Sequence, residues 1–97
     1  MNVFSFQATD SMKELLYRDP AQAIAHLSLK AGQEVPEHSG ADAIVTVVPV
    51  IGEIIFSTHE QVETLVPGKI VRLNASERHA LKAIKNSEII VVKWQNA

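Results

Sequence analysis

Residues 34–52, EVPEHSGADAIVTVVPVIG, decide how the rest of the chain is read. The run from Ala43 to Ile51 is nearly all apolar and rich in Val and Ile. That composition suits a strand buried on both faces. Pro49 interrupts it: a proline removes one ladder donor, so it predicts an edge position or a bulge late in the strand. Upstream, Pro36 biases Val35 toward extended geometry, Ser39, Gly40 and Ala41 loosen the chain, and Gly52 turns it after the strand. His38 lies in this loosened stretch beside Glu37 and Asp42. A titratable cluster at the end of a buried strand is where a site is expected to begin.

Working outward, the period stays short. Ala23, Ala25, Leu27 and Leu29 alternate with Ile24, His26, Ser28 and Lys30, which predicts a strand with one dry face, and Ala31 with Gly32 follows as a turn. After Gly52, Glu53 to Ser57 and Gln61 to Val66 read as a hairpin with Thr58, His59 and Glu60 at its tip. Pro67 and Gly68 form another turn. Lys69 to Leu73, Arg78 to Ile84 and Glu88 to Trp94 complete the strands. At the other end, Met1 to Ala8 alternates weakly and predicts a short edge strand. Ser11 with Glu14 has the form of a capping box and predicts a brief helix that Asp19 and Pro20 stop. Seven or eight short strands and one short N-terminal helix describe an all-β antiparallel sandwich or small barrel. It forms one domain, with residues 1–22 as the N-terminal strand and helix and residues 23–94 as the barrel.

Composition narrows the function. The chain has 97 residues, no cysteine and a formal net charge of -2. Without thiolates, any metal must be held by His, Asp or Glu. Lys and Arg are scattered singly, which argues against nucleic acid as a partner. The start lacks the pattern of a signal peptide, and no apolar run reaches the length of a membrane span, so a cytoplasmic protein without a membrane partner is expected. A domain this small leaves each copy short of buried area. The last strand is apolar on both sides, with Ile90, Val92 and Trp94 on one face and Ile89 and Val91 on the other. A homodimer is therefore expected.

Two histidines about 40 residues apart stand out, His38 in PEHSGADA and His79 in SERHALKA. In a closed antiparallel fold such positions can converge at the barrel mouth, where two imidazoles can ligate one metal ion or hydrogen-bond one anion. The other two have plainer roles: His26 as a half-buried strand residue and His59 as a solvated loop residue. Glu37 alternates with His38 and points away from it in an extended segment. Glu34 shares the parity of His38 unless Pro36 breaks the register. Arg72, between Val71 and Leu73, reads as an outward-facing surface arginine.

The glycine spacing around these histidines resembles that of a cupin. Gly32, His38 and Gly52 fall on the first motif of that family, with Gly40 where its second histidine stands and Val45 where its glutamate stands. Gly68 and His79 fall on the second motif, with Asn74, Ser76 and Ala83 replacing its proline, glycine and asparagine. Glu37, His38, Asp42, Ala43 and the HALKA run of residues 79–83 are similar to a subset of small single-domain bacterial cupins without an assigned activity. The resemblance implies a small antiparallel cupin β-barrel of the jelly-roll type, commonly dimerised through sheet faces.

It also implies a ligand site between the two motif histidines, with His38, His79 and, as a substitute third ligand, Asp42 around one weakly bound divalent transition metal (Zn, Mn, Fe or Ni). Catalytic cupins generally keep three histidines and a glutamate, whereas this chain keeps the outer two histidines. Asp42 has a second reading, as a loop carboxylate that satisfies turn N–H groups. The expected function is thus a small-molecule or metal-binding cupin of unassigned activity. The alternative is a metal-free cupin acting as a non-enzymatic ligand-sensing or dimerisation module.

Overall fold

The computed structural model describes residues 1–6 and 11–95. Nine strands follow one another: β1 (Lys13–Arg18), β2 (Gln22–Leu29), β3 (Glu34–His38), β4 (Ala43–Ile51), β5 (Ile54–Thr58), β6 (Val62–Leu65), β7 (Val71–Asn74), β8 (His79–Ala83) and β9 (Ser87–Gln95). They form a five-stranded sheet in the order β1-β2-β9-β4-β7 and a four-stranded sheet in the order β3-β8-β5-β6, with antiparallel ladders. No helix occurs among the described residues, and so none long and apolar enough to cross a membrane.

The two sheets face each other across a single core. The longest strands, β4 and β9, lie side by side in the five-stranded sheet and supply Val45, Val47 and Ile89; β5 and β8 supply Ile54, Phe56, Leu81 and Ala83 from the opposite layer. Burying a side chain of this kind stabilises the fold by about 1.5–3 kcal/mol. Strand β4 is not dry on both sides as its sequence suggests. Ala43, Val45 and Val47 are buried, while Ile44, Thr46 and Val48 are half-buried on the outer face. Pro49 behaves as expected: the register of β4 against β9 shifts between Pro49 and Ile51. The β4–β7 ladder runs only from Ile44 to Val47, so no partner on that side needs the missing N–H.

The N-terminal region differs from the sequence reading. Lys13–Arg18 is a strand paired with β2 from Lys13↔Leu27 to Arg18↔Ala23, not a helix. The hydroxyl of Ser11 donates to the carbonyl of Lys13 at 2.9 Å instead of accepting a helix N–H. A helix of one or two turns is marginal by itself, and the open edge of β2 offers a full ladder instead. The following turn is held by Asp19, whose Oδ1 accepts from the backbone N–H of Ala21 and Gln22 at 2.8 and 2.7 Å. The Tyr17 hydroxyl donates to Asp19 Oδ2 at 2.6 Å and is the first cause, ahead of those two N–H groups, of a carboxyl pKa held below the ordinary value. Of the expected edge strand Met1–Ala8, residues 1–6 are not a strand, and Gln7 and Ala8 lie outside the described residues. Phe4 packs near Tyr17 and Phe6 stacks on His26, with ring centroids 5.5 and 4.2 Å apart. The aromatic residues of this segment thus cover the outer sheet face rather than extend its edge.

The turn at Gly52 sets how β4 leaves one sheet for the other. Gly52 has φ +96, and a Cβ there would run into Ser87 Oγ, the Asn86 carbonyl and, at 2.8 Å, Ser87 Cα. Gly68 also has positive φ, +104, but open space around it. Gly52→Ala is therefore expected to cost about 3 kcal/mol or more, combining backbone strain with overpacking, and Gly68→Ala about 1–2 kcal/mol from strain alone. Urea denaturation midpoints of the two variants check the difference; equal losses would contradict it.

Candidate functional site: two facing imidazoles at a cavity rim

Strand β3 delivers His38 through an irregularity. Its pairing with β8 begins Glu34↔Lys82 and Val35↔Leu81, a register that would set Glu37 opposite His79. One extra residue is inserted after Val35, and the pair becomes His38↔His79. Pro36, which cannot donate to a ladder, sits in the inserted stretch, as bulges favour. The consequence is a change of face. Glu34 and His38 no longer share a side, and His38, exposed at the end of β3, meets the His79 ring across the ladder. Glu37 stays in solvent, where its Oε1 lies 3.3 Å from Arg78 Nη1 and 3.6 Å from the His59 ring.

The two rings meet edge to face, with centroids 4.3 Å apart and planes at 61°. Each is anchored in the same way: His38 Nδ1 lies 2.9 Å from the Pro36 carbonyl oxygen, and His79 Nδ1 lies 2.6 Å from that of Glu77. A carbonyl oxygen only accepts, so both Nδ1 atoms carry the proton. In the neutral ring the lone pair is then on Nε2, the atom left to meet a ligand. Phe56, buried on β5, stacks on His79 at 5.9 Å and 12°, and Thr58 is the cross-strand partner of His79.

Beside this pair opens a cavity of about 440 Å³ between β5, β6 and β7. Phe56, Leu65 and Leu73 give it apolar walls; Thr58, the carboxylates Glu63 and Glu77 and the cations Lys69 and Arg72 give it polar ones. Neither histidine is among its lining residues. They adjoin it through Phe56, Thr58 and Glu77, which touch, pair with or anchor His79. Glu63 has no place among the sequence candidates. Its pairing with Phe56 puts it on the inner face with Leu65, a parity visible in the run VETL once the hairpin register is known.

Asp42 is not gathered with the imidazoles. Its Oδ1 accepts from Asn74 Nδ2 at 2.6 Å, while Asn74 Oδ1 accepts from the N–H and hydroxyl of Ser76 at 2.9 and 2.8 Å. Gly40 and Ala75 add backbone bonds, Gly40 N–H to the Ala75 carbonyl and Ala75 N–H to the Ala43 carbonyl, both 2.8 Å. These contacts tie the loop before β4 to the loop after β7. Among the described residues no three His, Asp or Glu side chains are placed to hold one metal ion. Two oriented imidazoles fit a divalent ion, but they fall short of the three protein ligands of a catalytic zinc site.

His26 is fully buried rather than half-buried. Its Nε2 lies 2.7 Å from Glu88 Oε2, and the Ser28 hydroxyl donates to Glu88 Oε1 at 3.0 Å. Its Nδ1 has no hydrogen-bond partner among the described residues, with Glu14 Oε1 at 3.8 Å.

With the fold and site in view, the chain can be set beside known proteins. No family model matches it, and no curated protein matches it. Solved structures do. An RmlC-like cupin protein from Desulfovibrio desulfuricans aligns with TM-score 0.85 at 22% identity, covering 97% of this chain and 96% of that one. An RmlC-like cupin family protein from Methanocaldococcus jannaschii, with a double-stranded β-helix fold, aligns with TM-score 0.78 at 23% identity, covering 97% and 90%. KdgF from a Halomonas species aligns with TM-score 0.79 at 14% identity, covering 88% and 78%. These likenesses show the fold: a small cupin fold, all-β and antiparallel.

Because Asp42 is engaged in tying loops, Asp42→Asn is expected to cost about 1 kcal/mol of stability, with the same loss when a chelator is present. Urea denaturation with and without the chelator checks this. A loss that appears only with metal would make Asp42 a ligand instead.

Proposed function

We propose that this protein is a small-molecule-binding cupin whose ligand docks at the barrel mouth against the His38–His79 pair, with its body in the adjoining cavity. The observation that carries the reading is the matched anchoring of the two rings. Two imidazoles brought together from distant strands each have Nδ1 tied to a carbonyl two residues upstream, which leaves Nε2 of both rings to meet a ligand. A purely structural pair has no need of that orientation. The cavity of about 440 Å³ lies within the 300–1,000 Å³ range of ordinary small-molecule sites, and its lining sets apolar side chains beside charges of both signs.

A divalent transition metal is an optional occupant. His38 and His79 would hold it through Nε2, and it would act as a Lewis acid toward an oxygen of the ligand. With two protein ligands and Asp42 bonded to Asn74, binding is weak and exchangeable. The activity is therefore proposed as recognition rather than catalysis, which is the metal-free alternative raised by the missing motif residues. The outer face of the five-stranded sheet, with Ile90, Val92 and the 49% exposed Trp94, is the surface proposed for a second copy.

Zn²⁺ serves as a probe of the histidine pair. Isothermal titration of untagged protein is expected to give weak binding, reduced by about 10–100-fold in both His38→Ala and His79→Ala, while both variants keep the parent fold by circular dichroism. Binding that is unchanged in the two variants would contradict the assignment.

A further inference from the structure

We infer that His26 is a proton-operated latch: with a second proton on its ring it ties β1 and the N-terminal segment to the five-stranded sheet, and without that proton the tie loosens. The latch lies on the outer face of that sheet and is independent of the ligand reading above. Three observations carry it.

The first is an orphaned nitrogen. The His26 side chain is fully buried, its Nε2 lies 2.7 Å from Glu88 Oε2, and a carboxylate only accepts, so Nε2 carries the proton. In the neutral ring Nδ1 is then a bare lone pair. It has no hydrogen-bond partner among the described residues, and the charged atom facing it, Glu14 Oε1 at 3.8 Å, is another acceptor. A buried polar atom left this way costs stability. A second proton turns the same atom into a donor beside a carboxylate.

The second is where the two carboxylates come from. Glu14 sits on β1, directly across from His26 in the β1–β2 ladder, and Glu88 sits on β9, the other neighbour of β2. The imidazolium therefore bonds to both neighbours of its own strand at once. Ser28, the remaining polar group, donates its hydroxyl to Glu88 Oε1 at 3.0 Å and holds that carboxylate in place. Among the described residues Glu14 and Glu88 are the two ion-pair partners of the ring. A buried charge is tolerated when it is paired and hydrogen-bonded, and two carboxylates provide both.

The third is what the ring carries with it. Phe6 stacks on His26 with centroids 4.2 Å apart and planes at 23°, and a positive ring over a phenyl face gains attraction from its quadrupole. Phe4 packs on Tyr17 of β1 at 5.5 Å, so the N-terminal segment and β1 are held together. Strand β1 ends its sheet and has β2 as its one ladder partner, which makes it a segment that opens locally at low cost. The added bonds exist with the ring doubly protonated, so the latch is closed on the acid side of neutrality and opens as pH rises through the range in which histidine titrates.

Amide hydrogen exchange of the ¹⁵N-labelled full chain at about pH 5.5 and about pH 8 tests this, together with ring ¹H–¹⁵N correlations of His26. Expressed as protection factors, which remove the intrinsic pH dependence of exchange, the amides of residues 13–18 are expected to be roughly tenfold better protected at the lower pH, as one charge-assisted bond gives. Both ring nitrogens are expected to carry protons there. Glu14→Gln keeps the Glu88 contact and is expected to remove the difference, because an amide can serve either state of Nδ1; His26→Gln is expected to do the same. A ring that stays singly protonated at the lower pH, equal protection at the two pH values, or a difference that persists in Glu14→Gln each overturns the inference. The Glu14→Gln comparison decides even where His26→Gln does not fold.

Discussion

The short ladder between β3 and β8, with one residue too many on the β3 side, is the constraint on which the site depends. Two pairs hold the ordinary register, and after the inserted residue His38 rather than Glu37 stands across from His79. A ladder without that insertion would turn Glu37 inward and His38 out to solvent, since a one-residue slip exchanges the faces of everything beyond it. Pro36 makes the insertion inexpensive, because a proline has no N–H to leave unpaired. The same carbonyl-bearing stretch then anchors the ring, as the Pro36 oxygen accepts from His38 Nδ1.

The histidines are sorted by what their neighbours can accept. His38 and His79 face backbone carbonyls through Nδ1, which leaves Nε2 as the nitrogen available to a ligand. His26 is turned the other way: its Nε2 meets the Glu88 carboxylate, which only accepts, so that nitrogen carries the proton and the ring serves the outer face. There it stacks with Phe6 and ties β2 to β9 through a carboxylate that Ser28 also contacts. His59 is exposed, near Glu37. One residue type thus occupies three kinds of environment.

Much of this was legible in the residues. The alternation from Ala23 to Leu29, the hairpin around His59, the bulge at Pro49 and the turn at Gly52 each follow from local chemistry, and the motif glycines pointed to the cupin fold that the solved structures share. The strand at Lys13–Arg18 was not legible, because the Ser11 and Glu14 spacing carries a helix signal and the open edge of β2 that overrides it is a tertiary fact. Asp42 carried two readings in the sequence, the loop role favoured over the ligand role, and the Asn74 side chain that donates to it lies thirty-two positions away. Glu63 was invisible for a related reason. Its inward aim depends on a hairpin register set by pairing with Phe56, and period-two reasoning alone leaves register open by one residue.

The protonation pattern of the two rings carries the account most directly, and long-range ¹H–¹⁵N correlation spectra of the imidazoles read it. Both His38 and His79 are predicted to be Nδ1–H tautomers when neutral, with ring-to-ring nuclear Overhauser contacts between them. An Nε2–H tautomer at either residue, or two rings without mutual contacts, would contradict the geometry from which the site is built.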